Sequence, residues 1–141
     1  MNQIIEFVGN HPLLFIAFGA TLGMLIFTEW TRFSARAATL SPYAATQLVN
    51  GGDALFVDVR DEKEYKGGHL LNARNFPLSK FDERMHEIEK LKGKDLVLYC
   101  DNGMRTTRAT AKLRKQGFEN LHTLAGGLGA WEKASLPVVT K

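Results

Sequence analysis

Apolar residues are gathered in one long stretch near the N-terminus and in short runs through the rest of the chain. Residues 13–28 contain no charged side chain, and threonine is their only polar residue. The stretch from Pro12 to Trp30 has 19 residues, which as a helix span roughly 28 Å at about 1.5 Å per residue. A bilayer core is roughly 30 Å thick, so we predict a transmembrane helix over 12–30.

The charges that flank this stretch predict its orientation. The first 28 residues contain no lysine or arginine, whereas Arg32 and Arg36 follow the apolar run. Basic residues tend to stay on the cytoplasmic side, so we expect a short external segment at 1–11 and residues 31–141 in the cytoplasm. A cleaved signal peptide is the alternative, because residues 35–37 have a small-x-small pattern, but the positive segment that precedes such a peptide is missing.

Beyond the apolar stretch, short apolar runs alternate with segments that favour helices. We expect a linker over 31–40 and one domain over 41–139. Runs of strand length occur at 54–59, 73–76, 95–99 and 121–124, and helices are predicted at 42–50, 61–66, 79–91, 104–116 and 128–133. Ser41 can cap the first of these helices and Ser79 the third. This alternation predicts an α/β fold, with a parallel sheet covered by helices on both faces.

Charge and cysteine content exclude some classes of function. The net charge is +3 and lies in residues 37–141, which hold 16 Lys+Arg and 13 Asp+Glu. Such a small excess does not predict nucleic-acid binding. The chain has one cysteine, Cys100, and four scattered histidines, so we expect no metal site and no cofactor. A lone thiol fits a reducing compartment better than a secreted protein.

Cys100 directly follows the run at 95–99, at the sheet edge where α/β proteins bind their ligands. The loop between this strand and the next helix can point its N–H groups inward as an anion-binding nest, and Gly103 allows the tight turn. The helix start and the charge of Arg105 add positive potential. These features favour the thiolate of Cys100, the nucleophilic form. The alternative is a small apolar residue that ends a buried strand.

Motifs along the domain resemble those of rhodanese-like sulfurtransferases. In chain order they are Asp58-Val59-Arg60, Glu64-Tyr65, Gly68-His69-Leu70, Ala73, Asn75, Pro77, the loop that begins at Cys100, Gly126-Gly127, Trp131 and Leu136-Pro137-Val138. The resemblance covers about residues 39–139, and the whole chain looks like small bacterial inner-membrane rhodaneses with one N-terminal helix. It implies a five-stranded parallel sheet flanked by helices, held at the membrane through residues 12–30.

The resemblance also implies sulfur transfer through a persulfide on Cys100. This residue would take the outer sulfur of thiosulfate or another small anionic sulfane-sulfur donor and pass it to a nucleophilic acceptor, a thiol or a protein. The residues that would bind the substrate are Asp101, Asn102, Gly103, Met104 and Arg105, and those that would support the site are Asp58, Arg60 and His69. The loop has four residues between Cys100 and Arg105, which is the sulfurtransferase length, whereas the related phosphatases have one more.

Asp101 leaves the identity of the donor open. A carboxylate beside the thiolate would raise the pKa of the thiol if it pointed inward, which indicates a donor such as a protein persulfide, or weak activity. The membrane tether favours a second hypothesis, a rhodanese-fold binding or scaffold module with little or no catalysis. A persulfide or redox sensor that uses the same cysteine is a third hypothesis.

Overall fold

The long apolar helix opens the computed structural model, which describes residues 10–34 and 37–141. This helix, α1, spans Pro12–Ser34, and over Pro12–Thr31 it is long and apolar enough to cross a membrane. Its large apolar side chains are exposed, for example Leu13 at 80% and Met24 at 70%. A helix of a soluble protein normally buries its apolar face, so α1 is a candidate membrane span. Most of the expected external segment, residues 1–9, lies outside the described residues.

The α/β fold lies in a second compact unit, Ala37–Lys141. Its strands are β1 Ala38–Leu40, β2 Ala54–Asp58, β3 His69–Leu70, β4 Arg74–Asn75, β5 Asp95–Tyr99, β6 Leu121–Leu124 and β7 Val138–Val139. Its helices are α2 Pro42–Asn50, α3 Glu62–Gly67, α4 Met85–Glu89, α5 Met104–Lys115 and α6 Gly127–Lys133, with a 3-10 helix at Leu78–Lys80. Five strands pair in parallel in the order β1-β6-β5-β2-β4, and β3 pairs with β7 antiparallel. The predicted α/β class and five-stranded parallel sheet are confirmed.

The linker that we expected at 31–40 is wrong over most of its length. Helix α1 continues to Ser34, and Ala38–Leu40 form the edge strand β1. In this strand Thr39 lies opposite Thr123 of β6, and their hydroxyl oxygens are 3.2 Å apart. Three residues are too few for a hydrophobic pattern to indicate a strand, so β1 forms because it pairs with β6.

The two faces of the sheet bury separate apolar clusters. Side chains of β5 alternate between them, with Leu96 and Leu98 in the first cluster and Val97 and Tyr99 in the second. Helix α5 contributes Leu113 to the first cluster, and α6 contributes Trp131 to the second. Burial on both faces is typical of a parallel strand covered by helices. The side chain of Cys100 continues the alternation and belongs to the first cluster.

Local hydrogen bonds define the starts of two helices near the sheet. As predicted, Ser41 caps α2, since its Oγ accepts from the Ala44 N–H at 3.2 Å and Pro42 is the first helical residue. At the start of α3 the N–H of Asp61 donates to Glu64 Oε2 at 3.0 Å. A side-chain acceptor satisfies an N–H group that the helix itself cannot pair. This bond also holds the Glu64 carboxylate in place.

The helix predicted over 79–91 forms only in part. The chain forms the short 3-10 helix at Leu78–Lys80 and then α4, and Ser79 caps no helix. Arg84 precedes α4 in a conformation outside the helical region, with φ −100° and ψ 11°, while its guanidinium donates to the Asn75 carbonyl at 2.9 Å. Ile88 of α4 is nonetheless buried in the core, with 1% exposure. Tertiary contacts therefore override the local preference for one continuous helix.

Parallel strands bring distant motifs to one edge of the sheet. Cys100 follows β5, Asp58 ends β2, and the Gly126-Gly127 turn follows β6. The carboxyl ends of these strands point the same way, so the three segments meet there.

Candidate active site

Cys100 begins a short loop, residues 100–105, that leads from β5 into α5; we refer to it as the Cys100 loop. The N–H of Gly103 donates to Sγ over 3.0 Å, and Oγ1 of Thr106 lies 3.2 Å from Sγ. Gly103 has φ 94°, in the left-handed region that favours glycine. Asn102 Oδ1 accepts from the Met104 N–H at 3.2 Å and caps α5 in place of Gly103, which has no side chain. The loop thus surrounds the sulfur with hydrogen-bond donors.

Two opposing effects act on the pKa of the Cys100 thiol. Burial raises this pKa, because a thiolate loses its hydration inside the protein. Hydrogen bonds from the hydroxyl and amide of Thr106 and from the amides of Gly103 and Asn102 stabilise the thiolate and lower the pKa. The hydrogen bonds prevail, so the pKa of Cys100 lies below its ordinary value. The fraction of thiolate at neutral pH rises accordingly, and the thiolate is the form that reacts with sulfur electrophiles.

The Gly126-Gly127 turn packs directly on the Cys100 loop. A Cβ atom on Gly127 would overlap the carbonyl oxygen of Cys100 and lie 2.6 Å from that of Asp101. The N–H of Leu128 donates to the Cys100 carbonyl at 2.9 Å. Both glycines have positive φ, 68° and 59°, so the turn approaches the loop in a conformation that other residues rarely adopt. This contact holds the backbone on which Sγ depends.

Asp58 and Arg60 form a buried ion pair at the end of β2. Arg60 Nη2 donates to Asp58 Oδ2 at 2.7 Å and to the Gly68 carbonyl at 2.6 Å. Asp58 is 0% exposed and Arg60 4%. Burial lowers the pKa of the Arg60 guanidinium, but the hydrogen bonds and the charge of Asp58 raise it by more. The pKa therefore lies above its ordinary value, and the group stays charged. Arg60 Nη1 also reaches Asp101 Oδ1 at 3.4 Å, which connects this pair to the Cys100 loop.

Arg105, whose charge we expected to add positive potential at Cys100, is held by two carboxylates. Its guanidinium donates to both oxygens of Glu64 at 2.8 Å, and its Nη2 donates to Asp101 Oδ2 at 2.8 Å. The hydrogen bonds from Arg105 lower the pKa of Glu64 to about 2, and those to Glu64 raise the pKa of Arg105. The Asp101 carboxylate is directed at the guanidinium groups of Arg60 and Arg105. The charge of Arg105 is therefore largely compensated.

His69 lies in β3 and packs against α3. Its ring stacks on Tyr65 with centroids 3.8 Å apart, and Nδ1 lies 2.8 Å from the Tyr65 carbonyl oxygen. The side chain is buried, with 5% exposure. These contacts hold the backbone beside Gly68, whose carbonyl accepts from Arg60. The His69 side chain thus lies beside the backbone carbonyl that accepts from Arg60.

Comparison with known proteins shows the family. The family described as Rhodanese-like domain matches residues 41–134. The chain belongs to the rhodanese-like family. The match includes the Cys100 loop and four strands of the parallel sheet, β2, β4, β5 and β6.

Relatives of this rhodanese-like protein include chains of similar length. It is 31% identical over 140 residues to the uncharacterized protein YibN of Escherichia coli, covering 99% of this chain and 98% of YibN. It is 37% identical over 93 residues to a protein named sulfurtransferase from Allochromatium vinosum, covering 66% of this chain and 85% of that protein. The rhodanese-like domain of Alr3790 from Anabaena superposes with a TM-score of 0.65 at 28% identity, covering 75% of this chain and 81% of that domain.

Thr106 and Glu64 contribute contacts to the site of this rhodanese-like domain that the sequence did not reveal. Thr106 is 2% exposed and lies three residues before Ala109, on the helix face that also carries Leu113. The periodicity of a helix could therefore have indicated that Thr106 faces the sheet. Glu64 meets Arg105 across 41 positions of sequence, and no local pattern indicates a pairing over that separation.

Proposed function

We propose that this protein is a sulfurtransferase that carries sulfur as a persulfide on Cys100. The observation that supports this most directly is the hydrogen bond from the Gly103 N–H to Sγ, in a loop that lowers the pKa of the thiol. A stabilised thiolate is the nucleophile that such a reaction needs, and it requires no separate general base. The relative named sulfurtransferase supports the same chemistry at the level of the family.

The proposed reaction has two steps. In the first, the Cys100 thiolate attacks the outer sulfur of a sulfane-sulfur donor and forms a new S–S bond. The S–S bond of the donor breaks, and the remainder leaves with the electron pair, as sulfite from thiosulfate or as a thiolate from a persulfide. In the second, a nucleophilic acceptor such as a thiol attacks the outer sulfur, and the Cys100 thiolate leaves. The protein is then ready for another cycle, the acceptor carries the sulfur away, and no further oxidant is needed.

Residues around Cys100 have separate roles in this proposal. The N–H groups of Asp101, Asn102, Gly103, Met104 and Arg105 would line the persulfide and stabilise its negative charge, as a backbone nest does for other anions. Asp58 and Arg60 would act as positioning residues, because they connect the end of β2 to Asp101. His69 would support them through Gly68.

The test uses the full chain in detergent micelles. Cys100 is the one cysteine of the chain, so sulfur added to a thiol can be assigned to it. The reduced protein is exposed to thiosulfate or to a small organic persulfide, and its intact mass is measured. A gain of one sulfur atom that is absent from Cys100→Ser supports the proposal. Loss of that sulfur to an added thiol would demonstrate the second step. If neither donor adds sulfur, the sulfurtransferase proposal is wrong.

Full burial of Cys100 supports a second candidate function, a membrane-tethered binding or scaffold module. The side chain is 0% exposed, so a donor reaches Sγ only when the loop or its neighbours move. A scaffold needs no such movement and no thiol. In that case Cys100→Ser would bind the same partners as the wild type, and no donor would add sulfur to the wild type or to the variant.

We also propose that α1 anchors the protein in the bacterial inner membrane, with the N-terminus outside and the rhodanese-like domain in the cytoplasm. The apolar composition of α1 and the basic residues Arg32 and Arg36 support this orientation. Single cysteines at Asn2→Cys and Lys133→Cys, each combined with Cys100→Ser, can be treated with a membrane-impermeant maleimide on intact spheroplasts. The proposal expects labelling of the first variant before lysis and of the second only afterwards. The reverse pattern would contradict it.

A further inference from the structure

A pocket of about 270 Å³ lies beside the Cys100 loop, lined by Asp101, Asn102, Met104, Arg105 and Arg108. We take this pocket as the entrance for a donor, and it carries little net positive charge. Its two basic side chains are the natural binding groups for an anionic donor. How strongly each of them attracts such a donor depends on whether an acidic side chain already compensates its charge.

Carboxylates outnumber guanidinium groups in the network behind this pocket. Arg60 is paired with the buried Asp58, and Arg105 binds both oxygens of Glu64 at 2.8 Å. Asp101 is the third carboxylate, and it lies 2.8 Å from Arg105 and 3.4 Å from Arg60. The network therefore carries one excess negative charge. The exposed Arg108 offsets that charge, but a Cys100 thiolate adds another.

We propose that Asp101 and Glu64 select the donor by its charge, so that a persulfide of an organic thiol is preferred over the dianion thiosulfate. This inference rests on the proposed sulfurtransferase function. A dianion that approaches the thiolate meets an entrance where the charges of Arg105 and Arg108 are already offset by carboxylates, and the thiolate repels it twice as strongly as a monoanion at the same distance. A protonated persulfide has no charge on its reacting group.

The reaction with a persulfide balances without any co-reactant. The Cys100 thiolate attacks the outer sulfur of R–S–SH, the S–S bond of the donor breaks, and RS⁻ leaves with the electron pair. The proton stays on the transferred sulfur, and the product is Cys100–S–SH. Oxidation of Cys100 to the persulfide is matched by reduction of the donor persulfide to a thiolate, so the exchange needs no external oxidant.

Met104 provides a second feature that suits an organic donor. Its side chain is 69% exposed and lines the same pocket. A thioether side chain offers a polarisable apolar surface to the carbon chain of a thiol carrier. Thiosulfate has no carbon chain and gains nothing from this contact.

The experiment compares the loading rates of the full chain with thiosulfate, with 2-hydroxyethyl persulfide and with a single-cysteine carrier protein bearing a persulfide. The variant is Asp101→Asn, which removes one charge from the entrance. Glu119→Gln is the matched control, since it removes one exposed carboxylate just before β6, at the opposite edge of the sheet. Glu64→Gln is the second variant if Asp101→Asn fails to fold, because its amide oxygen can still accept from the Asp61 N–H.

The inference predicts a change in the ratio of rates, which cancels any general change in thiol reactivity. Electrostatic energy scales with the product of charges, so a substitution that speeds thiosulfate about tenfold should speed a monoanion only about threefold and should leave the uncharged R–S–SH form nearly unaffected. Raising the salt concentration should accelerate thiosulfate loading of the wild type more than that of Asp101→Asn, because salt screens the repulsion. Glu119→Gln should leave the ratio within about twofold of the wild type.

The two proposals fail in different ways. If neither thiosulfate nor any persulfide loads the wild type, the sulfurtransferase function is wrong and the inference falls with it. If donors load the protein but Asp101→Asn leaves the ratio unchanged, or favours persulfide, only the charge selection is overturned. Faster loading from the carrier protein than from 2-hydroxyethyl persulfide would assign the donor to a protein, and the opposite order would assign it to a small thiol.

Discussion

Replacing Gly127 by alanine should separate the Gly126-Gly127 turn from the Cys100 loop. A Cβ atom at this position would overlap the Cys100 carbonyl oxygen and lie 2.6 Å from that of Asp101. Both neighbours are backbone atoms, so no side-chain rotation can relieve the overlap. The turn has to move, and the hydrogen bond from Leu128 N–H to the Cys100 carbonyl is then lost or weakened.

The expected loss of stability follows from three contributions. A residue with a Cβ in the left-handed region costs about 1–2 kcal/mol. Loss of one buried hydrogen bond costs about 1 kcal/mol. Forced displacement in a well-packed region costs typically about 1–3 kcal/mol. Together these predict that Gly127→Ala lowers the free energy of unfolding by about 3–6 kcal/mol.

The assay is urea unfolding of the full chain in micelles, followed by the fluorescence of the buried Trp131. Gly93→Ala is the matched control, because Gly93 has φ 91° but nothing within 4 Å of an added Cβ. It should lose only the conformational part, about 1–2 kcal/mol. The displaced loop should also raise the pKa of the Cys100 thiol in Gly127→Ala, which the pH dependence of alkylation measures.

Equal losses in Gly127→Ala and Gly93→Ala would refute this reasoning. The contact between turn and loop would then contribute nothing beyond the strain of the backbone. An unchanged pKa of Cys100 in a clearly destabilised Gly127→Ala would show that the turn stabilises the fold without positioning the sulfur.

Three further predictions concern other contacts of the site. Thr106→Val should raise the pKa of Cys100 and slow its alkylation at neutral pH several-fold, because the thiolate loses a hydroxyl donor; an unchanged pH profile would contradict this. Arg60→Met should lower the free energy of unfolding by about 3–5 kcal/mol because it leaves Asp58 buried without its partner, and adding Asp58→Asn should restore part of the loss. The pKa of Glu64 is about 2 when folded, below its ordinary 4.5, so its stabilisation is complete above pH 4.5 and lost as the pH falls towards 2. The urea midpoint of the wild type should therefore approach that of Glu64→Gln over this range.

Local sequence determined the strand, loop and helix that position Cys100. The apolar runs predicted strands at Asp95–Tyr99 and Leu121–Leu124, and both are confirmed with those bounds. The turn chemistry of Gly103 and the helix after it placed a cysteine at the start of a tight loop. These predictions succeed because strand burial, glycine conformation and helix starts depend on residues that are close together in the chain.

Tertiary structure alone decided the edge strand β1, the broken helix after Pro77 and the charges at the entrance. Strand β1 exists because its three residues pair with β6, 84 positions away between Thr39 and Thr123. Arg105 looks like a free cation in the sequence, yet Glu64 and Asp101 bind it once the sheet brings them together. Pairing between distant charges depends on distances that only the folded chain sets, so the sequence indicates the nucleophile, whereas the fold decides the electrostatic field around it.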